Sequence, residues 1–246
     1  MRGPPLCCAR ELLRAELRAL ASVRSGPLRV DVIGRRLCPA ALLRGFHEAH
    51  PDVALEVVTL FDTAALRDGS VDASFRAVVE LPEGLAAQWV SDEPIQLLCG
   101  PAHPLAGSPS VTPAELAGHR IWMPGVVPGT EWGAYYAEFA AAFGLSIDAA
   151  GPNFGIEVVL DTVAESAEVA TLVGAGSHVL WPPGHDLRRV PIEYPAPVYP
   201  HSLVWRRDNA HPGLATLRRH FADNERAADA WRPSWAQPSQ TVPSTG

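Results

Sequence analysis

Along the chain, apolar residues recur in two alternating rhythms, one of period two and one of period three to four. The first clear helical stripe is ARELLRAELRALASVR (9–24), which gathers Leu12, Leu13, Leu17, Leu20 and Ala21 on one side and charged residues on the others. Gly26-Pro27 ends it, and LRVDVI (28–33) then alternates with β-branched residues, as a strand does. Pro39 suits a first helical turn, so a helix continues over Ala40 to Ala49 with Leu42, Leu43 and Phe46 inward, stopping at His50-Pro51-Asp52. VALEVV (53–58) is a second strand, Asp62 or Thr63 caps a short helix ending at Gly69, and VDASF (71–75) is a third strand. Strands alternating with helices at this spacing predict parallel βαβ units in an open α/β sheet.

The rhythm restarts beyond residue 80. LAAQWV and PIQLLCG are two apolar strand candidates around Asp92-Glu93-Pro94. Thr112-Pro-Ala-Glu115 is a capping box opening a short helix to Ala117, followed by the strand RIWM (120–123). Helices are predicted over 130–143 and 155–167, strands over 168–173 and 201–207, and a closing amphipathic helix over 211–223. The tail from residue 224, rich in Pro, Ser and Ala, reads as disordered.

Composition narrows the chemistry. A chain of 246 residues, 47% hydrophobic and 19% charged, supports a substantial core. The net charge of −7, with no basic run, makes this chain by itself a poor partner for nucleic acid. All 20 basic residues are arginine, which excludes phosphate-loop lysine and Schiff-base chemistry. Cys7, Cys8, Cys38 and Cys99 form neither a disulfide framework nor a zinc ladder, and no signal peptide or membrane-length apolar run interrupts the pattern, so a cytoplasmic protein without cofactor is expected. His47 and His50 are three apart at a helix end rather than four apart on one face, the Gly174-Ala-Gly176-Ser177 stretch lacks a nucleotide or nucleophile frame, and Asp161, Glu165 and Glu168 fit a solvated face. No catalytic or metal-ligating set can be assembled, and the chain is not read as an enzyme. Arg35 and Arg36, where a strand hands over to a helix, and Arg76, at the same sheet edge, are instead suited to an anion, since helix N-terminal N–H groups favour negative charge and guanidinium offers a planar fork. Cys38 beside them reads as a partly buried, inert thiol.

From Leu28 to about Asp223 the chain resembles the effector-binding domain of LysR-type transcriptional regulators. The resemblance lies in GPLRVDVIG with PAALLRGFHEAHPDVALEV, in ALRDGSVDASF, in DEPIQLLCGPAHPLAG with VTPAELAGHRIWM, and in the closing HSLVWRRDNAHPGLATLRRHFAD. One departure is Ala167-Glu168-Val169, where the family commonly carries a glycine-bearing turn. The resemblance implies a periplasmic-binding-protein-like fold of type 2, with two Rossmann-like α/β lobes around a cleft: lobe I over 27–94 plus 200–223, lobe II over 95–199, a remnant linker helix over 1–26 and the tail over 224–246. It places ligand-facing residues at Gly34, Arg35, Arg36, Asp62, Thr63 and Arg76, and, from lobe II, at Pro124, Gly125, Val126, Asn153, Phe154 and Gly155. It implies a small-molecule effector, a homodimer or homotetramer, and DNA contact only through a helix-turn-helix domain that is expected to be missing from this chain. A transporter-type solute-binding protein and an enzyme of the same fold are the alternatives.

Overall fold

The structure, a computed structural model, describes residues 26–60, 64–151, 155–178, 180 and 184–237. The helix expected over 9–24 and the caps expected at Asp62 or Thr63 lie outside them. The chain divides into two compact units, the first comprising Met1–Arg76, Leu81–Val90 and Ser202–Glu225, the second Ala77–Glu80, Ser91–His201 and Arg226–Gly246.

Unit 1 begins with strand β1 (Leu28–Asp31), helix α1 (Cys38–Ala49), strand β2 (Leu55–Val58), the short helix α2 (Ala64–Arg67) and strand β3 (Ala73–Arg76). β1 lies between β2 and β3 and is parallel to both. The alternation in LRVD is the reason β1 forms where it does, because Leu28 and Val30 reach full burial among Leu43 and Phe46 of α1. Pro39 sits in the first turn of α1, where its missing N–H costs nothing. Gly69 ends the α2 turn at φ +78°, a conformation that favours glycine. Antiparallel to β3 runs the last part of β9 (Ala196–Arg206), with Ala73 opposite Trp205 and Arg76 opposite Ser202. Helix α5 (Pro212–His220) then packs Leu214 and Leu217 on the same core.

Unit 2 repeats this arrangement. Strand β5 (Arg120–Trp122), helix α3 (Glu131–Phe143), strand β6 (Ile147–Asp148), helix α4 (Ile156–Glu165) and strand β7 (Val169–Gly174) follow one another, and β5 lies parallel between β6 and β7. β7 is closed on its other side by the antiparallel strand β4 (Leu85–Cys99), whose far edge takes β8 (Arg188–Pro191). Thr130 caps α3 by accepting from Gly133 N–H at 3.1 Å, and the Thr112–Glu115 capping box opens a 3-10 helix over Pro113–Gly118.

Two expectations are corrected. The two strand candidates flanking Asp92-Glu93-Pro94 are one continuous strand, β4. Pro94 is exposed and the ladder to β7 starts at Ile95, so no ladder donor is missing at the proline. The expected parallel βαβ units are present in both units, and long strands return antiparallel beside each parallel triplet. The described part of the tail is structured: β10 (Ala230–Trp231) pairs with Ala196 and Pro197 of β9, and Trp231 packs against Tyr135, Phe139 and Phe143. Arg232 is buried against Asp92 at 2.7 Å through Nε and also donates to the carbonyls of Ala227 and Ala230. Two tryptophans and a fully engaged arginine outweigh the tail's Pro/Ser composition, since each indole brings a large apolar area to bury.

Candidate functional site

In unit 1 the carboxyl ends of three strands converge on one buried carboxylate. Asp31, the last residue of β1, is fully buried. Its Oδ1 accepts the main-chain N–H of Leu60 at 2.8 Å, and its Oδ2 accepts the Ser74 hydroxyl at 2.8 Å and Arg76 Nη2 at 2.9 Å. Arg76 Nε donates in turn to Ser74 Oγ at 3.0 Å. The parallel register sets Ser74 beside Asp31, so the pairing follows directly from the β1–β3 ladder. This network ties the ends of β1 and β3 to the segment after β2 and so fixes the turn that follows β1.

That turn carries Gly34, Arg35 and Arg36. It closes with Leu37 N–H on Gly34 O at 3.2 Å and delivers the chain into α1. The N-terminus of α1 has no side-chain cap and no acidic residue in its first turn. Arg35 and Arg36 are exposed, and neither has a hydrogen bond or ion pair among the described residues. Arg76 differs: its exposure is 8%, and its charge is matched by Asp31. The structure therefore separates the three arginines expected to act together into two exposed guanidiniums without a partner among the described residues and one that holds the sheet edge.

In unit 2 the equivalent turn, the one after β5, carries Pro124, Gly125 and Val126. Gly125 has φ +92°, and Val126 N–H reaches Met123 O at 3.3 Å. Gly155 starts α4 at φ +100°, again with no side-chain cap. Asp62, Thr63, Asn153 and Phe154 lie outside the described residues.

Unit 2 also holds a buried polar cluster that sequence reading did not raise. Glu93, Ser177 and His201 are each under a tenth exposed. Glu93 Oε1 accepts from Gly176 N–H at 3.0 Å and from the Ser177 hydroxyl at 3.1 Å, and Oε2 lies 2.8 Å from His201 Nε2. Arg189 braces the same turn through the carbonyls of Gly174 and Ser177. Here the carboxylate stands between serine and histidine, so the serine donates to carboxylate and has no imidazole base, which is not the order that activates a nucleophile. The Gly174-Ala-Gly176-Ser177 turn is thus the cradle of a buried carboxylate. A glutamate at an inward position of an apolar strand was the one signal that could have flagged it.

Two units of one topology, each a parallel triplet closed by an antiparallel strand from elsewhere in the chain, define the periplasmic-binding-protein-like class of type 2. The family model for the LysR substrate binding domain matches residues 21–226, and the chain belongs to that family. Among solved structures it is similar to the reduced form of the OxyR regulatory domain from Pseudomonas aeruginosa, at 20% identity and TM-score 0.61 over 79% of this chain and 96% of that one. It is similar to the BenM effector binding domain with its effector benzoate, at 19% identity and TM-score 0.62 over 84% and 97% of the two chains. It also resembles full-length CbnR complexed with its target DNA, at 18% identity and TM-score 0.63 over 88% and 78%. No curated protein matches the sequence. Among the described residues, no helix is long and apolar enough to cross a membrane.

Proposed function

We propose that this chain is the sensing domain of a cytoplasmic transcriptional regulator, that it binds a small anionic metabolite without transforming it, and that it assembles as a homodimer or homotetramer. The observation that carries the ligand class is the turn after β1, where two exposed guanidiniums, without a partner among the described residues, precede a helix N-terminus that no side chain caps. Such a turn offers main-chain donors and planar forks to one carboxylate. The proposed contacts on unit 1 are Gly34, Arg35 and Arg36, with Asp62 and Thr63 in the following loop. Those on unit 2 are Pro124, Gly125, Val126, Asn153, Phe154 and Gly155. Arg76 serves this reading as the residue that holds the turn in place through Asp31.

DNA contact in this reading belongs to a helix-turn-helix module and not to the two units. Ligand binding acts on it by shifting a pre-existing equilibrium between domain arrangements. The inverted serine–carboxylate–histidine order supports binding rather than catalysis.

The test is a thermal-shift series with benzoate and other small carboxylates. A ligand at about 100 times its Kd adds about 2.7 kcal/mol of stability, which for a domain of this size raises the midpoint by about 5–11 °C. Arg35→Ala and Arg36→Ala are expected to abolish the shift. Equal stabilisation of the wild type and both variants would remove the arginines from the site.

A further inference from the structure

Unit 1 has an arginine-lined concavity at the edge of its sheet opposite the Arg35-Arg36 turn. The turn lies beyond the carboxyl ends of β1–β3, whereas the antiparallel register, with Ala73 opposite Trp205, carries the end of β9 to the amino edge. There a cavity of about 390 Å³ is lined by Arg206, Arg207 and Asp208 at the end of β9, by Glu83 to Leu85 at the start of β4, and by Arg67 at the end of α2. We propose that this cavity binds a small metabolite through an oxyanion, either a phosphoryl or a carboxylate group.

Two of the three guanidiniums are held in place by bonds that leave part of each free. Arg207 is pinned by its Nε on Leu85 O at 2.8 Å and by its main-chain N–H on Gly84 O at 3.0 Å, so both terminal nitrogens remain available. Arg206 spends Nε and Nη2 on Asp208, at 3.0 and 3.5 Å, and keeps Nη1. That Nη1 passes so close over Gly69 that a Cβ there would lie 3.1 Å from it, so the glycine leaves room for the guanidinium. Arg67 is exposed and makes no hydrogen bond or ion pair among the described residues.

Three guanidiniums line the wall with the carboxylates Glu83 and Asp208; Asp208 is already spent on Arg206, and Asp68 also lies within electrostatic reach of Arg206, so the donors left for a ligand are the terminal nitrogens of Arg207, Nη1 of Arg206 and the Arg67 guanidinium. Fixed, partly unsatisfied guanidiniums are what bidentate oxyanion recognition requires, because their ordering cost is met before the ligand arrives. The volume falls in the range of small-molecule sites, about 300–1,000 Å³. It exceeds what one oxyanion fills, and Glu83, without a partner among the described residues, can accept from hydroxyl groups on the rest of the ligand.

Isothermal titration of the full chain at fixed ionic strength, with inorganic phosphate and separately with citrate, tests the assignment. Saturable one-to-one binding of at least one probe is expected, weakened at least about tenfold by Arg67→Gln and by Arg207→Gln. It should be unchanged in the Arg35→Gln/Arg36→Gln double variant. Arg67 makes no bond among the described residues, so its variant should melt with the wild type and any loss of binding is then local. Phosphate binding alone identifies a phosphoryl ligand, and citrate binding alone a polycarboxylate. Absence of saturable binding by either probe overturns the proposal, as does binding that survives Arg67→Gln. Binding that survives Arg67→Gln but is lost in the Arg35/Arg36 double variant supports the carboxyl-edge site and removes this one, so the two readings fail separately.

Discussion

Replacing Arg76 by methionine separates a structural arginine from a ligand-binding one. The side chain is 9% exposed and its partner Asp31 is fully buried, so Arg76→Met leaves a carboxylate in the interior with only the Leu60 N–H and the Ser74 hydroxyl as donors. Breaking a buried pair from one side costs about 3–5 kcal/mol, and the two surviving donors put Asp31 at the lower end, about 3 kcal/mol. For a domain of 150–250 residues that is a drop of about 6–12 °C in melting midpoint. Asp31→Asn on the methionine background removes the stranded charge, while the amide can still accept from Leu60 and donate to Ser74. The double variant should therefore recover about 1–2 kcal/mol relative to Arg76→Met alone, a coupling typical of directly contacting groups. The assay is thermal denaturation of the four members of the cycle, followed by circular dichroism. A midpoint within about 2 °C of wild type for Arg76→Met, or no coupling with Asp31→Asn, would refute the assignment of Arg76 to the sheet edge and return it to the ligand.

Two further outcomes follow from unit 2. A methyl group at Gly174 would lie 2.0 Å from Glu93 Oε1, so Gly174→Ala must displace a buried carboxylate from its donors, at about 3–5 kcal/mol; Glu93→Ala in the same chain should return part of that loss in chemical denaturation, and a Gly174→Ala variant as stable as wild type would discount the cradle. His103 is 3% exposed, its Nδ1 accepts from Leu105 N–H at 3.2 Å, and burial, with His119 beside it, holds its pKa below 6.5. The unfolded chain then takes up the proton first as pH falls, so this residue's contribution is complete above pH 6.5 and declines below it, with a slope of at most about 1.4 kcal/mol per pH unit. His103→Gln should flatten the fall in stability measured between pH 7.5 and 5.5, and an unchanged slope would exclude His103 as a source.

Much of unit 1 is legible in sequence because its determinants are local. LRVD alternates, Pro39 marks a first turn and Gly69 a last one, and these signals act within a few residues of the structure they specify. The Arg35-Arg36 turn is legible for the same reason. What escaped depends on partners far along the chain. Arg76 reads as a free cation until the β1–β3 register sets Asp31 beside it, 45 positions away. Pro94 reads as a break because its exposure depends on where β7 pairs. The Glu93 cluster joins residues 84 and 108 positions apart, and Arg232 meets Asp92 at a separation of 140. Strands β6 and β8, of two and four residues, are too short to impose a period of their own.

The docking of β10 also has a bearing on synthesis. Unit 2's largest segment, Ser91–His201, is synthesised before Ala230 and Trp231, and unit 1's closing helix α5 is made in between. Until residues 226–237 arrive, the edge of β9 at Ala196–Pro197 lacks β10, Asp92 lacks Arg232, and the aromatic group around Tyr135 lacks one of its members. Contacts at such separations are slow to close, and an unpaired edge is the usual starting point of misassembly in nascent chains. Chains cut short after Asn224 should consequently show their defect first as a lower yield of soluble protein during expression.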